Sequence, residues 1–190
     1  MANGKTEYRL AFGADIYSEA VSNLRGRIAD IIERDDFGSL MILFSSAGGN
    51  TDNSLALYNF LAQLPVPVLM HGMGHIGSAA VPVFLAGSKR TCSPFARFFF
   101  HEYIWGFDGG DRTLYQINEA TDRLKSDIAF ARKIMQARAK LPDKYLQALD
   151  GQADPEIIEP AEAKKYGLVE DILELAKTGA DGMKVAVWTA

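Results

Sequence analysis

Gly74-His75-Ile76-Gly77-Ser78-Ala79-Ala80 joins an apolar strand to an apolar helix. The strand before it runs from Val66 to Met70, with Pro65 and Pro67 at its start, where lost backbone donors matter least. A glycine-rich loop leads to Ser78. The helix after it reaches about Leu85 and tolerates Pro82 in its first turn. Strand ends followed by such turns are where α/β proteins put their chemistry. Ser78 is therefore the residue on which the functional reading turns.

The same rhythm extends in both directions. Residues 8–12 read as a strand, and Val21, Leu24, Ile28 and Ile31 give Ser18 to Glu33 a helical period. Leu40 to Phe44 is a continuous apolar run, as in a strand buried on both faces. The turn Ala47-Gly48-Gly49 follows, then a helix capped by Thr51 or Asp52 and running to about Gln63. Thr91-Cys92 and Ala96 to His101 read as strands around a turn at Ser93-Pro94, and residues 102–111 as a loop. Arg112 to Lys140 keeps a helical period for about 40 Å at 1.5 Å per residue, longer than a small core needs. It is expected to project and pack against another subunit. Pro142 opens a short helix through Leu149, and Pro160 opens another, closed by Gly167. Val169 to Leu173 reads as a strand or short helix, and Met183 to Trp188 as a terminal strand. The order implies an α/β fold with helices on a largely parallel sheet.

Bulk properties narrow the function. The 190 residues suit one hydrophobic core and one domain over 1–190. Net charge is -4 and the basic residues are scattered, which argues against a nucleic-acid partner. The N-terminus lacks the apolar core of a secretory signal, and the apolar stretch from Ile76 to Gly87 is too short to span a bilayer. A cytoplasmic protein without membrane contact is expected. The single cysteine, Cys92, excludes an intrachain disulfide and reads as a small buried apolar residue. Neither a cofactor nor a metal is expected.

A serine hydroxyl attacks poorly until a base takes its proton. Only His71, His75 and His101 are available. His75 is a local neighbour of Ser78, while His101 ends the apolar run Phe98-Phe99-Phe100, which would hold an imidazole at a sheet edge. An oxyanion needs backbone donors, which Gly48, Gly49 and Ala79 could supply. No Lys-Ser/Thr follows the glycines, so this is not a phosphate-binding loop. A third residue to orient His101 could be Asp150 or Asp154, though both also suit a turn. A serine–lysine dyad using Lys125 or Lys133 is a lesser variant.

These segments resemble the proteolytic subunit of Clp protease, within the ClpP/crotonase fold, over about residues 9–173. Ser46-Ala47-Gly48-Gly49 is similar to Ser-Pro-Gly-Gly, and Met73-Gly74-His75-Ile76-Gly77-Ser78 to Met-Gly-Gln-Ala-Ala-Ser, which ends in the nucleophile. Ala86-Gly87-Ser88-Lys89-Arg90 is similar to Ala-Gly-Ala-Lys-Gly-Lys-Arg, and Phe99-Phe100-His101-Glu102 to Met-Ile-His-Gln. Glu162-Ala163-Lys164-Lys165-Tyr166-Gly167-Leu168-Val169 resembles Glu-Ala-x-x-Tyr-Gly-Leu-Val. The resemblance implies repeated β-β-α-type units and a handle helix at about 112–140. It implies a serine endopeptidase with Ser78 as nucleophile, His101 as base and Gly48, Gly49 and Ala79 as oxyanion donors. The family's aspartate falls at Gly151, beside Asp150. It also implies stacked heptameric rings of one chain acting on peptides or unfolded proteins. Ala47 departs from the family's proline, and Ala79-Ala80 from its Met-Gly. Little chain precedes Tyr8 for an axial segment, so coupling to a Clp ATPase is not expected. The rival expectations are a crotonase-like acyl-CoA enzyme and an inactive ring subunit with a scaffolding or regulatory role.

Overall fold

A computed structural model describes residues 5–178 and 184–189. Five strands carry most of the sheet: β1 (Thr6–Gly13), β2 (Phe37–Ser46), β3 (Val68–Gly77), β4 (Lys89–Cys92) and β5 (Arg97–Phe100). The short strands β6 (Glu156–Ile158) and β7 (Asp171–Ile172) and the terminal β8 (Lys184–Thr189) complete it. The order is β6-β5-β3-β2-β1-β8, with β4 and β7 branching from β3. All pairs are parallel except β5 with β6. The helices are α1 (Ser18–Ile32), α2 (Thr51–Ala62), α3 (Ala80–Phe84), α4 (Leu114–Arg138), α5 (Asp143–Gln147) and α6 (Pro160–Lys165). A 3-10 turn, Ala148–Asp150, continues α5.

The expected elements are present, with three corrections. The glycine-rich stretch after Met70 is not a loop, because β3 continues through Gly77. It does so by changing partners: Leu69 to Gly72 pair with β4, and His75 to Gly77 pair with β5. Residues 156–158 form a strand that three residues between two prolines gave little reason to expect. The cap of α2 is Asn50, whose side chain accepts from Asn53 N at 2.9 Å, rather than Thr51 or Asp52. The terminal strand docks parallel to β1, while its expected first residue, Met183, lies outside the described residues.

Aromatic rings tie the layers together. Phe12 stacks on Phe44 at 5.5 Å, Phe44 meets Phe84 at 6.3 Å, and Phe84 meets Phe98 edge-on at 5.3 Å. This row fixes α3, and with it the turn at Ser78, against β2 and β5. Arg90 and Arg138 satisfy carbonyls at the ends of α3, α4 and α6, including Leu85, Gly87, Arg138 and Gly167. Such caps answer the orphan acceptors that helix ends leave. The second half of α4 packs inward through Ile128, Ala131 and Met135, while Leu114, Tyr115 and Ile117 in its first turns stay exposed. A capping box between Thr113 and Gln116 starts this helix.

The other sheet face carries buried polar groups. Arg9 donates to Glu7 at 2.7 Å, both buried, and to the carbonyl of Ala176. His71 is buried, with Nδ1 2.8 Å from Thr91 Oγ1. Burial, helped by the Arg9 charge, pulls its pKa down to about 4.

A folded pKa below the ordinary 6.5 means that the unfolded chain takes up the proton first. Stability from neutral His71 is complete above about pH 6.5 and falls as pH drops towards 4. The loss is on the order of 3 kcal/mol. Urea unfolding from pH 7 to pH 4 should show a steeper decline for wild type than for His71→Asn. Parallel declines would contradict this.

Candidate active site

Ser78 follows β3 directly and adopts φ 53°, the one positive φ among described residues other than glycine. A side chain in this region is strained, and such strain clusters at functional sites. Two contacts impose it. Ser78 N donates to Phe99 O at 3.0 Å, which continues the β3–β5 pairing, and α3 then turns away under the Phe84 ring. The Ser78 side chain is half-buried.

The diglycine turn closes against it. A Cβ on Gly48 would lie 2.8 Å from Ser78 Cβ, 3.0 Å from Gly77 O and 3.3 Å from Ala79 N. A Cβ on Gly49 would strike the Ile16 backbone at 2.8 Å. Both glycines have positive φ, 117° and 141°. The turn is tied to residue 16 by Ile16 N to Gly48 O at 2.7 Å and Asn50 N to Ile16 O at 3.0 Å. Gly48 N donates to Ser46 Oγ at 3.2 Å, so its amide is occupied. The amides of Gly49 and Ala79 carry no hydrogen bond among the described residues. Of the three oxyanion candidates, Gly49 and Ala79 are thus the available donors.

His101 leaves β5 at the sheet end where Ser78 leaves β3. The register pairs Gly77 with Phe99, so each residue lies just beyond the same edge. The His101 ring stacks on Phe99 at 5.0 Å and 26°, and His75 approaches that phenyl ring at 5.8 Å. Burial first, then the charges of Arg97 and His101, push His75 below the ordinary imidazole value and keep it neutral. Its Nδ1 is buried without a hydrogen bond.

The segment after His101 runs beside the 3-10 turn, with Tyr103 N donating to Leu149 O at 2.9 Å. This brings Asp150 to the same region, while Asp154 is exposed. Asp150 Oδ2 takes Arg132 Nη2 at 2.7 Å and Gln152 Nε2 at 3.1 Å. Its Oδ1 is buried with no partner among the described residues. No hydrogen bond joins Ser78 to His101, or His101 to Asp150, among these residues.

The other sequence candidates are settled by position. Lys125 and Lys133 are exposed, and Lys133 lies over the Phe130 ring. Cys92 is buried, which pushes its thiol up to about 11 and keeps it protonated. Arg132, Tyr103 and Asp127 escaped the sequence reading. An aspartate at 127 within the spacing Phe130, Ala131 and Ile134 was the available signal, since it puts a carboxylate on an apolar helix face. No group of three or more His, Cys, Asp or Glu could hold a metal among the described residues. No helix among them is long and apolar enough to cross a membrane.

Comparison with known proteins gives a consistent picture. A family model described as Clp protease matches residues 10–176. The ATP-dependent Clp protease proteolytic subunit 2 of Borreliella burgdorferi is 28% identical over 152 residues, covering 76% of this chain and 72% of that protein. The proteolytic subunit 1 of Rhodococcus jostii is 26% identical over 179 residues, covering 92% of this chain and 79% of that one.

The glycine contacts can be tested directly. Gly48→Ala should cost about 1–3 kcal/mol in urea unfolding. Gly13→Ala, where a Cβ would meet nothing within 4 Å, should change stability by under about 0.5 kcal/mol. Equal effects at the two positions would refute the close approach of Gly48 to Ser78.

Proposed function

This chain belongs to the Clp protease family, and we propose that it hydrolyses peptide bonds as a serine endopeptidase with Ser78 as nucleophile. The observation that carries this reading is the strained Ser78, set against Gly48 and beside the unengaged amides of Gly49 and Ala79. Ser78 Oγ attacks the scissile carbonyl while His101 takes its proton. The negative oxygen sits between the Gly49 and Ala79 N–H groups. His101 returns the proton to the leaving amine, and an acyl-enzyme remains on Ser78. Water activated by His101 then attacks the ester and releases Ser78.

Asp150 is the orienting acid. Its buried Oδ1 is the acceptor for the second imidazole N–H. His101 must rotate off the Phe99 ring to join Ser78 and Asp150. The Arg132–Asp150 pair is partly exposed, so it opposes this step weakly.

The working form is a ring-shaped homo-oligomer, read as stacked heptameric rings enclosing the sites. Ile104, Trp105, Phe107, Leu114, Tyr115 and Ile117 are exposed around the start of α4. An apolar patch of this kind is a surface for association. A second reading, a non-catalytic ring subunit, is favoured by the unlinked triad alone.

A fluorophosphonate probe should label wild type and spare Ser78→Ala. His101→Ala should lower peptide hydrolysis by about 10²–10⁴-fold. Equal labelling of wild type and Ser78→Ala would exclude Ser78, and an unlabelled wild type would favour the non-catalytic subunit. In sedimentation, wild type should run as a large ring assembly and Leu114→Glu/Ile117→Glu as smaller species. A monomeric wild type would refute the ring.

A further inference from the structure

The two amides assigned to the oxyanion, Gly49 and Ala79, lead into different helices. Gly49 precedes α2 by one capping residue, Asn50, and Ala79 comes just before α3. The spacing of the amides therefore depends on how these two helices are held to each other. The diglycine turn has no side chains with which to hold itself. Backbone bonds to Ile16 pin it from one side. Its other side continues straight into the first turn of α2.

That turn is gripped by α4. Asp127 Oδ2 accepts from Thr51 Oγ1 at 2.5 Å, a charge-assisted bond of the short, strong kind. One helical turn earlier, Arg123 Nη2 meets Asp52 Oδ2 at 3.2 Å. The Arg123 guanidinium also lies 5.2 Å from the centre of the Trp105 ring, in the segment that leaves His101. Further along α4, Arg138 donates to the carbonyls of Leu85, Ala86 and Gly87, at the end of α3. Between these ties, Leu55, Ala79, Pro82, Ala131 and Ile134 border a gap of about 20 Å³, room for a single water. One continuous helix is thus fastened to both helices that start beside an oxyanion amide.

We infer that Asp127 and Arg123 are positioning residues, which set the spacing of the Gly49 and Ala79 amides by holding the first turn of α2 against α4. The inference rests on the Ser78 reading, since the spacing matters only if an oxyanion forms between the two amides. Donors must lie about 2.7–3.1 Å from that oxygen, and a shift of about 1 Å can cost about 10²-fold in rate. Both residues act through Thr51 and Asp52 rather than on the substrate. The Arg123–Asp52 pair is largely exposed, and such a pair alone contributes little. The Thr51–Asp127 bond is part-buried and carries most of the restraint.

The test follows hydrolysis of two peptidyl aminomethylcoumarin substrates, with glycine or leucine at the scissile residue, and counts active sites by fluorophosphonate labelling. Thr51→Val keeps the shape of the side chain and removes the hydroxyl. It should lower kcat per labelled site about tenfold on both substrates, with KM within about twofold. Inhibition by a peptidyl boronate, which places an oxygen between the two amides, should weaken by about the same factor. Thr51→Ser keeps the hydroxyl and should recover most of the rate. Arg123→Gln should show the same pattern at about two- to fivefold, which preserves the test if Thr51→Val fails to fold. A loss that Thr51→Ser shares, or an effect on one substrate alone, would overturn the inference. Labelled sites with unaltered kcat defeat the positioning role alone, whereas an unlabelled wild type defeats both readings.

Discussion

Backbone against side chain at a single point, Gly48 on Ser78, holds the candidate site together. Any side chain at position 48 would have to occupy the space of Ser78 Cβ and Gly77 O. The approach is that close because β3 ends in a turn forced back by α3, and because the diglycine turn is pinned to residue 16. Ser78 accepts a left-handed conformation as the cost of this packing. Residue 78 is consequently held at the sheet end against the diglycine turn.

The second constraint is the change of partner along β3. Its first half pairs with β4 and its last residues with β5, so β5 starts beside His75 and ends beside Ser78. Residues 78 and 101, distant in sequence, therefore leave neighbouring parallel strands at one edge. The close packing at Gly72 and Gly77 belongs to the same construction. A Cβ at Gly77 would meet His75 Nε2 at 2.7 Å, and one at Gly72 would meet Ile76 Cδ1 at 2.8 Å.

Much of this was readable from residue order. Strand–turn–helix punctuation located β2, β3 and the turns at Gly48 and Ser78, because apolar runs and glycines are local signals. The extension of β3 through Gly77 was not, since glycines signal a loop unless a neighbouring strand continues the ladder. Strand β6 was hidden for a similar reason: three residues stay extended there because β5 pairs with them. The ion pair of Arg132 with Asp150, and the meeting of Tyr103 with Asp127, depend on how α4 lies across the core. Helical spacing gives the face of α4 but not what that face meets. The position of Asp150 beside residues 101–103 follows from the Tyr103–Leu149 hydrogen bond, which no motif announces.

The charges around the site also share a logic. Arg132 holds one oxygen of Asp150 and leaves the other buried and unpaired, while His75 is kept neutral beside His101. A crystal structure of the protein reacted with a peptidyl boronate would examine this arrangement in one step. The expected result is a bond from Ser78 Oγ to boron, with a boronate oxygen about 2.7–3.1 Å from the Gly49 and Ala79 nitrogens and His101 hydrogen-bonded to Asp150. Boron bound elsewhere, or an adduct whose oxygens turn away from both amides, would contradict it.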